Sequence, residues 1–579
     1  MPKMYTQQEE AFNAINLFLA DDHNVLEDIA MFLNSDELVE HILDDYLYSK
    51  DKVLDALHQK LLDGGINLGA AIFRLDGYAG TGKTYLTIEL LESLVDENVC
   101  LIAPTHKACN NIGKMLPEYL DDINISTVAS FLGVTYNEDN NTYAVTNKSN
   151  REGCTIIIVD EVSMISTAYS KLFLKIFLDL YRGYRKSGSK RYPSHVKVIF
   201  VGDPAQLNPI DSEIKNYRAN PPSPIWNYHC PNYKLTNVIR YDGDLARVAE
   251  EIRSNNRWGL SLYPYETTDD ETIILHKVFI EWLNTASTYF LDEQFIEDPD
   301  YCRMIAYTNE RVDDLNFKMR QIIHGRENLD DYIKGDLLIV TEAYHYTHIH
   351  GNEPSEVDAH TGNETLSEFI DQLSYLEPDG SPFNSTDGTL SDFIDLGPDE
   401  SPFKSTDETT SLRDFVRVSK GATLGATLSA SSIWLRRSTE MWVEEWDQEL
   451  RTFKTPHDTY NDIKYTLLYI TVLNGQSGSW IPVLTESSKV FYAEKHKELY
   501  DLKHGSGMAK AIYNEFHNPF AGQIKHAYAL TCHRAQGSTI DYTFIDMDNI
   551  SRNPHEKQAM QYVALTRTKT RSHIKRCGI

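Results

Sequence analysis

The chain has 579 residues, a length that fits roughly four domains, and its 41% hydrophobic and 11% aromatic content excludes a wholly disordered chain. The formal net charge of −30 argues against a surface that binds nucleic acid all over. Residues 9–63 hold 14 acids against 3 lysines and residues 353–414 hold 16 acids against 2 bases, so two stretches carry most of that charge and a local nucleic-acid channel elsewhere is not excluded.

No apolar run approaches the roughly 18–20 residues of a membrane span. The opening MPKMYTQQEEAF lacks a signal-peptide core. A cytoplasmic protein with no membrane partner is expected. Seven cysteines (Cys100, Cys109, Cys154, Cys230, Cys302, Cys532 and Cys577) form no CxxC pair. Neither a zinc site nor a disulfide framework is expected, only reduced and mostly buried thiols.

In chain order, residues 13–62 read as helices, with Leu26, Ile29, Phe32, Leu33, Leu38 and Ile42 spaced by three and four. Their polar face is acidic, and Gly64, Gly65 and Gly69 end the pattern. Four short apolar runs follow: AAIFRLDG (70–77), VCLIAPT (99–105), TIIIVDE (155–161) and VKVIFVGD (196–203). Such runs, separated by helical stretches, predict buried parallel strands of an α/β domain. Ligands of such sheets bind at the carboxyl ends of the strands. Between them, VTYNEDNNTYAVT (134–146) reads as a hairpin around an Asp-Asn-Asn turn. The basic, tyrosine-bearing YRGYRKSGSKRYPSHVK (181–197) reads as a solvated loop.

The strand pattern resumes at RMIAYTN (303–309), IKHAYALTCH (524–533) and YTFIDMD (542–548), predicting a second α/β domain split by a long insertion. Inside the gap, EPDGSPFNSTD (377–387) recurs as GPDESPFKSTD (397–407). Two copies are too few for a solenoid. The segment reads as a duplicated acidic surface insertion, with a DNA-mimicking gate or a partner-docking surface as alternatives. Residues 416–485, including KYTLLYITVL (464–473) and SWIPVL (479–484), suggest a small barrel.

The chemistry concentrates at the strand ends. Gly77-Tyr78-Ala79-Gly80-Thr81-Gly82-Lys83-Thr84 fits G-x-x-x-x-G-K-[ST] between a strand and a helix. Gly77, Gly80, Thr81 and Gly82 let backbone N–H groups wrap a phosphate chain at a helix N-terminus. Lys83 then reaches the terminal phosphates, and Thr84 ligates Mg²⁺. Asp160 and Glu161 end a strand, where the first acid holds Mg²⁺ and the second activates water. The segment 202–209 ends the fourth strand, and its Gln206 is placed either to sense the γ-phosphate or to orient the attacking water. Arg240 and Arg567 are the candidate cations for charge developing in the transition state.

The ordered set resembles superfamily 1 helicases, and most closely the Dda-type phage helicases and their RecD-like relatives. The resemblance rests on TQQEEAF (6–12), GYAGTGKT (77–84), APTHKAC (103–109), TVASFLG (127–133), VDEVSM (159–164), GDPAQLNP (202–209), NVIRY (237–241), AYTNERVDDLN (306–316), TCHRAQGST (531–539) and YVALTRT (562–568). It covers about half the chain. It implies an α/β fold of two RecA-like P-loop NTPase domains with ATP and Mg²⁺ between them, a small β-hairpin insertion and an SH3-like β-barrel insertion.

The expected bounds are 1–130 and 153–235 for motor domain 1, with an acidic helical insertion at 13–65, and 131–152 for a hairpin pin. Motor domain 2 takes 236–340 and 510–579. The inserted barrel takes 341–509, with its acidic repeat at 353–414. Gln8 would read adenine, with Gln7 and Gln59 as other candidates because some 45 extra residues precede the phosphate loop. Pro104, Thr105, His106, Thr127, Thr308, Asn309, Thr531 and His533 would line the single-strand path. Gln536 and Gly537 would link that path to the nucleotide, and Tyr136 or Tyr143 would stack at the fork. Ala129 stands where relatives often carry histidine.

The resulting expectation is a monomeric, phage-encoded, ATP-dependent DNA helicase acting in host cytoplasm. It would move 5′ to 3′ on single-stranded DNA and forked duplex, beside single-strand-binding or recombination proteins. The alternatives are an RNA helicase and a nucleic-acid-binding NTPase switch or adaptor without unwinding activity.

Overall fold

A computed structural model describes residues 4–21, 50–64, 69, 71–95, 97–120, 123–137, 142–145, 154–174, 196–209, 220–254, 270–341, 344–349, 416–420, 430–435, 439–447, 449–455, 458–473, 479–503, 507–517, 524–552 and 555–576. Most of the acidic 13–65 stretch, nearly all of the basic 181–197 segment and the whole 353–414 repeat lie outside the described residues.

The first eight strands are β1 (Ile72–Gly77), β2 (Val99–Ala103), β3 (Asn124–Thr127), β4 (Val134–Asn137), β5 (Thr142–Val145), β6 (Ile156–Val159), β7 (Lys197–Gly202) and β8 (Asn232–Leu235). Six of them form one parallel sheet in the order β3-β2-β6-β7-β1-β8. Its central strands are buried along their whole length, as a sheet covered on both faces requires. Alternate residues serve opposite faces. Cys100, Ile102, Ile157 and Val159 pack on one side with Leu57. Leu101, Ala103, Ile158 and Ile199 pack on the other with Ile15 and Leu86. β4 and β5 form a separate antiparallel hairpin in which Tyr136 pairs with Tyr143.

Cys100 and Cys154 are joined in a disulfide, which corrects the expectation of reduced thiols throughout. Cys100 lies on β2 and Cys154 just ahead of β6, the neighbouring strand. Sheet order thus brings together two residues 54 apart in sequence, at a Cα–Cα distance of 6.1 Å that a disulfide can span. Among the described residues, Cys109, Cys230, Cys302 and Cys532 are thiols, and Cys109 Sγ donates to Ser126 O at 3.3 Å.

β9 (Ile273–His276) and β10 (Cys302–Ala306) begin a second parallel sheet. The chain then leaves it for β11 (Leu337–Val340), β12 (Tyr344–Ile349), β13 (Val416–Lys420), β14 (Ala430–Leu435), β15 (Glu440–Trp446), β16 (Arg451–Lys454), β17 (Thr459–Val472), β18 (Ser479–Leu484) and β19 (Ile524–His526). It returns as β20 (Ala529–Thr531), β21 (Ile540–Asp546) and β22 (Thr568–Lys575), giving the order β20-β10-β21-β22-β9. The strands between form two antiparallel sheets. One has the order β16-β17-β15-β11-β19, with β18 also on β17. The other has β14 between β12 and β13, with Ile349 opposite Ala430 and Val416 opposite Leu435.

Charge fastens the larger antiparallel sheet to the second parallel sheet. Arg303 on β10 is fully buried and donates to Glu440 Oε2 on β15 at 2.7 Å. Lys107, from the first parallel sheet's side, approaches the same cluster less closely, at 3.4 Å from Glu440 and 3.8 Å from Asp300.

Candidate nucleotide and nucleic-acid site

β1 delivers the phosphate loop, and the helix Lys83–Ser93 follows it directly. Gly80 and Gly82 adopt φ of +79° and +82°, conformations that glycine takes at no steric cost. A Cβ on Gly82 would fall 2.3 Å from Gln8 Nε2 and 2.8 Å from Ile239 Cδ1. Gln8 is therefore packed against the loop, where its amide donates to Thr81 O at 3.4 Å. Gln7 instead binds the backbone at Thr236 and Asn237, and Gln59 donates to Asp63 on an exposed helix face.

Lys83 turns inward and donates to the carbonyls of Gly77 at 2.7 Å and Tyr78 at 3.0 Å. Burial lowers its pKa, while Asp203, Glu161 and Asp160 pull the other way. An anion in the loop offers this ammonium a better partner than two neutral carbonyls.

Asp160 and Glu161 follow β6. Burial, then the adjacent Glu161, pushes the Asp160 carboxyl up to about 7. Its Oδ1 accepts from the Glu161 N–H at 2.8 Å. Glu161 is held at φ +54°, a left-handed conformation that is costly for a residue with a Cβ. Its Oε2 is buried without a hydrogen-bond partner. A hard-oxygen donor set of the Thr84 hydroxyl and the Asp160 carboxylate suits Mg²⁺, and the acid-raised state of Asp160 is what a nearby dication would reverse. These residues fit the ion.

The second sheet closes on this pocket. Gln536, from beyond β20, donates through Nε2 to Gln206 Oε1 and to Ser163 Oγ, both at 3.1 Å. Asn111 donates to Gly537 O at 2.8 Å. Gly537 itself lies at φ +83°, where an added Cβ would approach Glu161 Oε1 to 3.8 Å. Arg240 is half-buried, and its pKa falls to about 10 through desolvation and then the like charge of Arg567. The backbone N–H groups of Ile239 and Arg240 both donate to Gly80 O. Arg567 is turned back on its own unit, donating to Val563 O at 3.2 Å and Ser538 O at 3.3 Å. The structure thus groups Lys83, Asp160, Glu161, Gln206, Arg240 and Gln536 at one cleft. Arg567 lies at its wall, engaged elsewhere.

Four of the expected path residues share one local geometry. Thr105 and Thr308 lie just past a parallel strand, Thr127 and Thr531 are the last residues of one, and each caps the next helix. Their hydroxyl oxygens accept N–H bonds from Ala108, Ser130, Arg311 and Arg534 at 3.2–3.3 Å. A capping threonine still has its own proton to donate to a phosphate oxygen, beside the positive end of a helix. Each sheet supplies two such caps. Pro104 and His106 flank the first and are half-buried, and Asn309 follows the third and is exposed. His533 is half-buried, and desolvation lowers its pKa and favours the neutral ring. Tyr136 and Tyr143 sit opposite each other on the separate hairpin, whose first strand follows the helix capped by Thr127.

Sequence reasoning passed over Asp203, Tyr241 and Tyr562. Asp203 accepts from the Ala79 N–H at 2.8 Å and from the Tyr562 hydroxyl at 2.9 Å. Both tyrosines and the aspartate lie inside quoted motifs, so the available signal was their adjacency to the residues picked out.

Two families match parts of the chain: the AAA domain over residues 66–211 and the UvrD-like helicase C-terminal domain over residues 526–574. The chain is 29% identical over 304 residues to the ATP-dependent DNA helicase dda of Enterobacteria phage T4, covering 50% of this chain and 60% of that protein. It is 24% identical over 300 residues to the uncharacterized protein R530 of Acanthamoeba polyphaga mimivirus, covering 47% and 56%. It is 28% identical over 153 residues to the RecD subunit of the RecBCD enzyme of Buchnera aphidicola, covering 24% and 22%. The matches span 60% or less of each relative. Among solved structures, Pif1 helicase from Candida albicans is similar with a TM-score of 0.39 and 17% identity, over 92% of this chain and 94% of that one.

Proposed function

We propose that this chain, a relative of superfamily 1 helicases of the Dda and RecD type, is an ATP-hydrolysing motor that moves 5′ to 3′ along single-stranded DNA and unwinds forked duplex. The observation that carries the reading is the cleft itself. Lys83, Asp160, Glu161 and Gln206 from the first parallel sheet meet Gln536 from the second, with a direct Gln206–Gln536 hydrogen bond across the gap.

The chemistry follows from the side chains. The loop's N–H groups and Lys83 hold the β- and γ-phosphates. Thr84 and Asp160 would hold Mg²⁺, which supplies charge neutralisation at the phosphate oxygens. Glu161, with one carboxylate oxygen buried and unpartnered, orients the attacking water and takes its proton. Gln206 contacts the γ-phosphate and passes its state to Gln536. Arg240 stabilises charge on the transferring group, and Arg567 joins it once released from its carbonyl partners. Gln8, already against the loop, faces the base.

The DNA path runs over the four capping threonines, two per sheet, so relative motion of the sheets changes the spacing between two pairs of phosphate contacts. Pro104, His106, Asn309 and His533 border that path. The hairpin β4–β5, within 131–152, serves as the pin with Tyr136 or Tyr143 at the fork. Motor domains at 1–130 with 153–235 and at 236–340 with 510–579, and an SH3-like insertion at 341–509, complete the assignment. The relatives in phage T4 and mimivirus support a viral source. A monomer in the cytoplasm suffices for this chemistry.

The test is ATP hydrolysis by the purified chain alone, with single-stranded DNA and with RNA, using Lys83→Ala as control. Stimulation by DNA that the variant loses supports the motor, and 5′- and 3′-tailed duplexes then read polarity. A basal rate unmoved by either nucleic acid overturns it, and stronger stimulation by RNA reassigns the substrate.

A further inference from the structure

Ala79 occupies the third position of the phosphate loop, and side chains from outside the loop hold both of its backbone groups. Its N–H donates to Asp203 Oδ2 at 2.8 Å and to Tyr562 Oη at 3.0 Å. Its carbonyl accepts from the Tyr241 hydroxyl at 3.0 Å. Tyr562 in turn donates to Asp203 Oδ2 at 2.9 Å, and Asp203 Oδ1 accepts from the Ala205 N–H at 2.9 Å. Asp203 has no exposed surface, and Ala79, Tyr241 and Tyr562 are buried around it. Burial, then the Asp203 charge, raises Tyr562 far above the ordinary phenol range, so its hydroxyl keeps its proton and donates.

The two tyrosines have notable neighbours. Tyr241 directly follows Arg240. Tyr562 stands five residues before Arg567, on the helix Lys557–Thr566 that leads to it. Each arginine-bearing segment therefore reaches the same loop residue through one phenol oxygen. A buried polar group left without its partner loses its solvation with nothing in return, so these bonds resist being broken separately. The rings are rigid and packed with Ala79 and Leu207 in one cluster. A shift of the loop peptide is thus passed to both segments, and a packed core passes displacement rather than absorbing it.

We infer that Tyr562 and Tyr241 are positioning residues which set Arg567 and Arg240 against the nucleotide, with Asp203 as the shared anchor, so that phosphate occupancy of the loop is sensed by both arginine segments at once. The inference rests on the nucleotide-binding reading of the loop. It goes beyond that reading because it assigns a role to two residues outside the loop, which act through their hydrogen bonds to Ala79 and Asp203.

The experiment uses the full chain and the single variants Tyr562→Phe and Tyr241→Phe, which keep the rings and remove only the hydroxyls. In one arm, kcat and KM for Mg·ATP are measured with single-stranded DNA, alongside ADP affinity from a fluorescent analogue. We expect kcat to fall between about 10- and 100-fold, the range for misplaced catalytic groups, with KM and ADP affinity within about two-fold. An unchanged kcat, or a loss of kcat matched by a loss of affinity, overturns the inference. In the second arm, amide exchange of Lys557–Thr566 is compared with and without Mg·ADP. Protection gained in the parent chain and absent in Tyr562→Phe supports the coupling, and equal protection in both refutes it. This arm requires no turnover. A chain that binds ADP without hydrolysing ATP would therefore sink the motor reading while still deciding this one.

Discussion

Asp336→Asn tests whether charge fastens the antiparallel insertion to the second parallel sheet. Asp336 is fully buried. Arg320 donates to it twice, from Nε at 2.9 Å and from Nη2 at 2.7 Å. The Ile333 N–H donates at 2.8 Å, His324 Nε2 lies at 3.1 Å and His526 Nε2 at 3.4 Å. Burial alone would raise this carboxyl, but the hydrogen bonds from His324 and Arg320 and the nearby His526 outweigh it and hold the group far below the carboxylate range. Asparagine keeps the shape and removes the charge, leaving a buried guanidinium facing a neutral amide. Breaking one side of a buried pair costs about 3–5 kcal/mol, or roughly two to four powers of ten in an opening equilibrium.

A chain with several cores does not unfold in one step, so the readout must be local. Amide exchange of β11, which begins one residue after Asp336, should accelerate at least about a hundredfold by that estimate. β7 in the first sheet should be unchanged. An acceleration below about five-fold at β11, near 1 kcal/mol, would refute the reasoning. The pH dependence has a definite sign. The folded pKa is depressed, so the contribution is complete above the unfolded value of about 3.9 and is lost only as pH falls through the lower folded value. Between pH 7 and 5, protection of β11 should not change through this group.

His58 gives the opposite signature. Burial lowers it to about 4, with Lys171 adding to the effect, and its Nε2 lies 3.1 Å from the Ser170 hydroxyl. The unfolded ring, at about 6.5, binds a proton first, so the first sheet's unit should lose stability between about pH 6.5 and 4, with a slope of up to one proton. Urea midpoints measured across that window should flatten in His58→Gln. Glu161→Gln should lower kcat by about 10²–10⁴ while retaining ADP affinity, read by single-turnover hydrolysis. Lys107→Met removes a buried ammonium and should cost about 1–3 kcal/mol, because Glu440 keeps Arg303 while Asp300 loses its nearer cation. Arg303→Met should cost about 3–5 kcal/mol, both read as exchange at β10.

The four long apolar runs of the first sheet were readable because burial on both faces writes a continuous β-branched stretch, and they appear as β1, β2, β6 and β7. The edge strands β3 and β8 were not. Each has four residues, and half-exposed positions interrupt their burial. The phosphate loop and the acid pair were legible because their chemistry is local in sequence. The Cys100–Cys154 bridge, the Tyr562–Asp203 bond and the β11–β15 pairing were not, because each joins residues that only strand order brings together. Periodicity reports which face a residue takes and carries no information about which strand lies beside it.

β12 and β13 flank β14 in parallel, so residue 349 leaves the small sheet at one end of β14 and residue 416 re-enters at the other. Six strand residues and two inter-strand spacings separate those points by about 20 Å. Residues 350–415 are several times longer than that span needs. Removing one twenty-residue copy of the repeat would change the closure entropy by only about 0.3 kcal/mol. Gaining that copy was therefore almost invisible to folding. The small sheet holds the two ends of a stretch whose length can change by tens of residues over generations at almost no entropic cost to folding.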